Sequence, residues 1–146
     1  MARTRLKPMS SQSRRLGVGR LLIAVYGILA LAATGRSFYQ IATDYSGAPL
    51  AYTLSAVAAV VYLVATVGLV ARGPRARFVA SVAIVFELVG VLTVGTLSLV
   101  APELFAHPSV WSWYGLGYGL VPLVLPVFGL WWLARQRRGR LAAVAT

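Results

Sequence analysis

Cysteine is absent from this chain, which excludes disulfides, thiolate metal sites and paired-thiol redox chemistry. Histidine occurs once, at His107, so the chain alone cannot hold a haem between two histidines or build a histidine-rich metal site. There are three acidic residues, Asp44, Glu87 and Glu103. His107 with Glu103 and Asp44 is the one acid-base or metal set this composition permits, and three residues on two connections read as solvated. No Ser/His/Asp order, phosphate-binding glycine loop or zincin motif is present. The expectation is a protein that is not an enzyme and carries no cofactor and no metal.

Apolar residues make up what remains. They are 59% of the 146 residues, and the mean hydropathy is +0.78, too apolar for an ordinary soluble domain of this length. Four segments carry the apolarity, at about 17–42, 50–71, 78–100 and 111–134, each long enough at about 1.5 Å per residue to cross a hydrocarbon core of about 30 Å. Lipid requires every backbone N–H and C=O to be satisfied within the segment, and no alternating ten-residue pattern points to a barrel. The expected fold class is all-α, a four-helix transmembrane bundle over residues 16–134 flanked by basic tails at 1–15 and 135–146.

Charge sets the expected orientation. Thirteen of the 14 basic residues fall before or at the start of the first segment, in the second connection, or after the fourth segment. Arg36 alone sits elsewhere. With four spans these three clusters share one face, which the positive-inside rule makes cytoplasmic. Both termini are therefore expected inside a multi-pass protein of the inner (cytoplasmic) membrane. Arg14, Arg15, Arg20, Arg72, Arg75, Arg77, Arg135, Arg137 and Arg138 are candidates for contact with anionic lipid headgroups. No nucleic-acid-binding module is recognisable despite the formal charge of +11, so nucleic acid is not an expected partner.

The start of the chain has two features of a removable signal: Ala30-Leu31-Ala32 after a basic start, and Ser13-Arg14-Arg15, similar to a twin-arginine opening. The residues after Arg15 are Leu16-Gly17-Val18 rather than a bulky apolar pair, and the apolar run continues past Ala32. The first span is therefore expected to be retained.

Chemistry concentrates in a few polar residues within the spans. Glu87, in VAIVFELVGVLTVG, falls about 13 Å from the start of the third segment, close to the bilayer midplane. An ionised group there costs about 2.5–3.5 kcal/mol on insertion scales, so it should face the bundle and be paired, hydrated or protonated. Three readings follow: a working proton or cation site, a structural acceptor for a hydroxyl from another helix, or a partner for a second subunit. Arg36 is the only cation on the outer half and lies about a dozen Å above Glu87 by simple registration. A tyrosine, Tyr26, Tyr62 or Tyr118, is an easier partner. In the fourth segment Pro122 and Pro126 each remove a helical hydrogen bond and free the carbonyls of Tyr118 and Pro122. Glu87, Tyr118, Pro122, Pro126, Tyr62 and Arg36 together form the candidate proton, cation or buried polar site. Ser55 and Ala59, in a stripe with Tyr62 and Thr66, and the GxxxG pair Gly115 and Gly119 are the expected helix-packing positions. Trp111, Trp113 and Tyr114 mark the outer interface, and Trp131 and Trp132 the inner one.

The stretches RSFYQIATDYSGAPLAYTLSAVAAVVYLVATVGLV, FELVGVLTVGTLSL and WSWYGLGYG resemble small uncharacterised four-helix integral membrane proteins common in actinobacteria. The resemblance covers most of residues 20–134 and implies the four-helix fold without implying an activity or a site. The chain also looks like a small multidrug-resistance transporter in having four helices, little loop and one membrane glutamate. In that family the essential glutamate lies in the first helix, whereas here Glu87 is in the third. The expected function is that of a non-enzymatic accessory or assembly component, packing with itself or with a larger membrane complex. The alternative is a small proton- or cation-coupled transporter centred on Glu87.

Overall fold

The computed structural model describes the backbone of residues 11–145 and the side chains of residues 17–145. Four α-helices follow one another: α1 Ser11–Asp44, α2 Pro49–Val70, α3 Pro74–Val100 and α4 Val121–Ala145. A 3₁₀ turn at Tyr45–Gly47 joins α1 to α2; further 3₁₀ segments at Pro102–Leu104 and Ser112–Tyr118 lie between α3 and α4. No strand occurs among the described residues. Pro49 and Pro74 open α2 and α3, where their missing N–H is one the first turn leaves unbonded anyway and their fixed φ suits a helix.

The helices α1, α2 and α3 are each long and apolar enough to cross a membrane. Only 33% of the apolar stretch of α1, and 39% of those of α2 and α3, is buried within the chain. The outward remainder includes Leu31, Phe38, Val67 and Phe78, each well over half exposed. So large an apolar surface is unfavourable in water and marks contact with lipid or another membrane protein.

Helix ends depart from the expected spans for a common reason: hydropathy marks where a chain leaves lipid, whereas a helix continues wherever its residues tolerate it. Thus α1 begins at Ser11 and α4 runs on to Ala145 through the arginine-rich stretch, arginine being a good helix former. Residues 135–145 are accordingly helical rather than a separate tail. Residues 1–10 of the expected N-terminal tail, and the side chains of Arg14 and Arg15, lie outside the described residues.

The fourth segment differs more deeply. A helix from 111 is not what forms: the Ser112–Tyr118 segment and α4 meet at 98°. Trp113, Tyr114 and Gly115 have φ of 50°, 59° and 81°, and Gly119 and Leu120 have φ of 65° and 62°. Such left-handed backbone costs a residue with a side chain roughly 1–2 kcal/mol, so packing must hold Trp113, Tyr114 and Leu120 there. Gly115 and Gly119 therefore lie on no common helix face, and the GxxxG packing role does not apply. Gly115 instead allows the break, and a side chain on it would collide with Pro122, whose Cγ is 2.6 Å from the ideal Cβ position. Pro122 sits in the first turn of α4 and so does not kink it; Pro126 alone lies within the helix.

Along the chain α1 packs on α2, α2 on α3 and α3 on α4, and α1 closes more lightly on α4. The helices α2 and α3 approach closely at Gly68, where an added Cβ would lie 2.9 Å from the Ala80 backbone nitrogen. The two halves of the molecule are filled differently. Near the basic end α4 occupies the space, with Trp132 against Gly19 and Gly129 beside Ile84 and Tyr26. Near the other end the segment around Val110–Tyr118 takes its place. There Trp111 lies over Gly90, Tyr114 lies over Gly95, and the Val110 N–H donates to Ser55 Oγ at 3.1 Å.

A buried polar centre and two basic clefts

Glu87 is midway along the 27-residue α3 and completely buried. One turn toward the basic end, Ile84 touches α4 at Gly129; one turn the other way, Gly90 touches Trp111. The carboxyl thus sits at the level where the two kinds of filling meet. The Tyr26 hydroxyl of α1 donates to its Oε2 at 2.7 Å, a short charge-assisted or acid-type bond. Its Oε1 is buried without a hydrogen-bond partner among the described residues. The Tyr26 ring is 6.3 Å from that of Tyr62 on α2, tilted by 54°. Tyr62 is also fully buried, and its hydroxyl accepts the Trp111 indole N–H at 2.9 Å.

Of the expected residues, the structure brings Glu87, Tyr62 and the partner candidate Tyr26 into one neighbourhood and adds Trp111. Tyr118, which packs against the same core, pairs with Arg36 rather than with Glu87. Arg36 Nη1 donates to the Tyr118 hydroxyl at 3.4 Å, its guanidinium lies 5.9 Å from that ring's centre, and Nη2 donates to the Pro108 carbonyl at 3.1 Å. Arg36 therefore fastens α1 to the connection before α4 and makes no ion pair with Glu87. Pro122 and Pro126 are buried, but neither has a hydrogen bond to the glutamate.

Ser55 and Ala59 are buried, and the Ser55 hydroxyl oxygen accepts the Val110 backbone N–H. Trp111, read as an interfacial residue, is instead 2% exposed. Gly90 and Gly95, whose lack of side chains admits the Trp111 and Tyr114 rings, were not singled out from sequence; glycines five apart on an apolar helix were the only signal. On the far connections His107 stacks on Tyr52 at 6.2 Å, and the Tyr52 hydroxyl donates weakly to Asp44 at 3.5 Å. No cluster of three or more His, Asp or Glu residues forms among the described residues.

The basic end carries two clefts. A cavity of about 410 Å³ opens among α1, the α2–α3 turn and α4, lined by Arg20, Arg72, Arg77, Trp132 and Gln136 over an apolar floor that includes Leu133. A second, of about 490 Å³, lies between α3 and α4, with Arg77, Arg137, Arg140 and Ser81 beside Phe78 and Leu130. Arg77 lines both. Arg75 and Arg138 line neither, and Arg135 lies over the Trp131 ring at 4.9 Å. The three acidic side chains of the sequence are elsewhere, at Asp44, Glu87 and Glu103.

No protein-family model, curated protein or solved structure matches this chain.

Proposed function

We propose that the chain is a four-helix, multi-pass protein of the inner (cytoplasmic) membrane with both termini in the cytoplasm. In this reading it is non-enzymatic and packs with itself or with a larger membrane complex as an accessory or assembly component. The observation that carries the reading is the outward face of α1, α2 and α3, where exposed Leu, Val, Ile and Phe side chains outnumber what the helices bury. The collection of arginines at one end supports the orientation, with anionic headgroups as the partner of that end. The fourth crossing needs both parts of the broken segment. The apolar run of α4, residues 121–134, spans only about 21 Å at 1.5 Å per residue, less than a hydrocarbon core of about 30 Å.

Within this reading Glu87 is a structural acceptor that ties α1 to α3. The test is purification of the full chain in a gentle detergent, followed by mass spectrometry and measurement of its assembled mass. A co-purifying membrane protein or a defined homo-oligomer is expected; a chain that is monomeric and alone would refute the accessory role.

A second reading rests on the buried, unpartnered Oε1 of Glu87, which in a small proton- or cation-coupled transporter is where the transported charge would bind. Glu87→Gln separates the two. Loss of proton-coupled flux in liposomes with assembly intact supports transport, and absence of flux in both forms supports the structural role.

A further inference from the structure

The two basic clefts share Arg77, and the next residue, Phe78, belongs both to the second cleft and to a third feature. This is an open apolar groove of about 590 Å³ between α2 and α3, lined by residues such as Val57, Val60, Val64, Val82 and Phe86. A lining of almost pure hydrocarbon is thus continuous, through adjacent residues of one helix, with an uncompensated cluster of guanidinium groups.

Along α3 the groove runs from Phe78 to Phe86, about 12 Å, and along α2 from Val64 to Thr53, about 16 Å. Half of a hydrocarbon core of about 30 Å is about 15 Å. The groove therefore has the length of an acyl chain in a single leaflet, with its basic end where that leaflet's headgroups lie.

We infer that this end of the molecule is a site for one phospholipid of the cytoplasmic leaflet whose headgroup carries two phosphates. One phosphate sits with Arg20, Arg72 and Arg77, the other with Arg77, Arg137 and Arg140, and an acyl chain lies in the α2–α3 groove. Guanidinium groups match phosphate oxygens in planar, paired hydrogen bonds. Ser81 Oγ donates to the Arg77 carbonyl at 2.8 Å, so the Ser81 hydroxyl braces the turn from which the shared arginine projects. Basic pockets between membrane helices on the cytoplasmic side suit such headgroups, and with no acidic side chain lining either cleft phosphate is the fitting counter-ion. The inference rests on the membrane orientation proposed above.

The test uses the full chain extracted from membranes and offered diphosphatidylglycerol, phosphatidylglycerol or phosphatidylcholine, with retained lipid counted by native mass spectrometry. Diphosphatidylglycerol is expected to be retained at least about tenfold over phosphatidylcholine and about fivefold over phosphatidylglycerol. Arg77→Gln should reduce that retention at least about tenfold and Arg137→Gln about fivefold, whereas Arg75→Gln, of equal charge but outside both clefts, should change it less than about threefold. Val60→Trp, which fills the groove without touching an arginine, should lower retention of long-chain lipid. The size-exclusion profile of each variant checks that it is folded, and Arg137→Gln on α4 carries the test if Arg77→Gln is not.

Equal losses for Arg75→Gln and Arg77→Gln would overturn the site in favour of general surface attraction. Equal retention of the one-phosphate lipid, or displacement by inorganic phosphate at the same concentration, would overturn the two-phosphate lipid as occupant. A chain that alkaline carbonate strips from membranes would refute the membrane reading itself, whereas one that stays inserted without lipid preference refutes this site alone.

Discussion

Replacing Tyr26 by Phe removes one hydroxyl from the centre of the molecule and almost no volume. The Tyr26 ring remains against Tyr62, but Glu87, without a partner at Oε1 among the described residues, loses the hydrogen bond at Oε2. In a soluble core, leaving a buried polar group unsatisfied costs about 1–3 kcal/mol, and more if it is charged. Inside a bilayer the measured coupling of side-chain pairs is smaller, about 0.6 kcal/mol on average and about 1.7 at most, because the unfolded chain also finds partners there. Full burial and the 2.7 Å separation place this pair in the upper part of that range, so a coupling of about 1–1.7 kcal/mol is expected. The assay is a double-mutant cycle of Tyr26→Phe, Glu87→Leu and the double variant, each unfolded reversibly by sodium dodecyl sulfate from mixed micelles and followed by circular dichroism. Because leucine needs no donor, Tyr26→Phe in the Glu87→Leu background should cost much less than in the parent. Additive effects within about 0.3 kcal/mol, the usual tolerance for independent sites, would refute the claim that this bond ties α1 to α3.

Other perturbations follow from the same geometry. Gly95→Ala places a methyl group in the Tyr114 ring, and Gly90→Ala places one 2.6 Å from Trp111; each should lower stability by about 1–3 kcal/mol through overpacking. Gly35→Ala meets nothing within 4 Å and should be neutral or stabilising by up to about 1 kcal/mol, as alanine is in a helix, measured by the same unfolding titration. Trp111→Ala should cost about 3–5 kcal/mol and expose the amides of residues 110–118 to hydrogen exchange. Topology is directly measurable because the chain has no cysteine of its own. Single cysteines at Arg75 and Ser46 should be labelled by an impermeant maleimide from the cytoplasmic and the outer side respectively, and labelling of both from one side, or the reverse pattern, would refute the orientation.

How much of this was legible depends on which physical signal each feature leaves in the sequence. The extent of α2 and the far end of α3 follow from long apolar runs, because lipid leaves the backbone little choice but to satisfy itself locally, whereas α3 starts at Pro74, four residues before its apolar run. Burial of Glu87 is legible for the same reason, since a carboxyl in hydrocarbon must turn inward. Its partner is not: Tyr26, Tyr62 and Tyr118 are comparable in register, and only the three-dimensional arrangement, in which the Tyr26 hydroxyl of α1 reaches across to Glu87 of α3, selects Tyr26. The segment from Trp111 to Leu120 was misread because hydropathy is blind to the sign of φ. Gly115, Gly117 and Gly119 suit a close helix crossing and a left-handed turn equally well, and the rings of Trp111 and Tyr114 settling over Gly90 and Gly95 decide in favour of the turn. The grouping of arginines at one end was visible from topology, but the convergence of two clefts on Arg77 is a property of the α3–α4 contact.

The break before α4 bears on how the protein is made. In the four-span reading, α1, α2 and α3 are each long and apolar enough to pass to lipid unaided, whereas the fourteen-residue stretch from Val121 to Ala134 is short for that decision. The backbone preceding them carries left-handed residues with irregular hydrogen bonding, tolerable at membrane depth only when covered by protein. That cover is α3, with its Gly90 and Gly95 surfaces, together with Ser55 and Tyr62 of α2. In the four-span reading proposed above, the last crossing is completed only after the first three helices have assembled, which would make residues 111–145 the late and quality-determining part of its biogenesis.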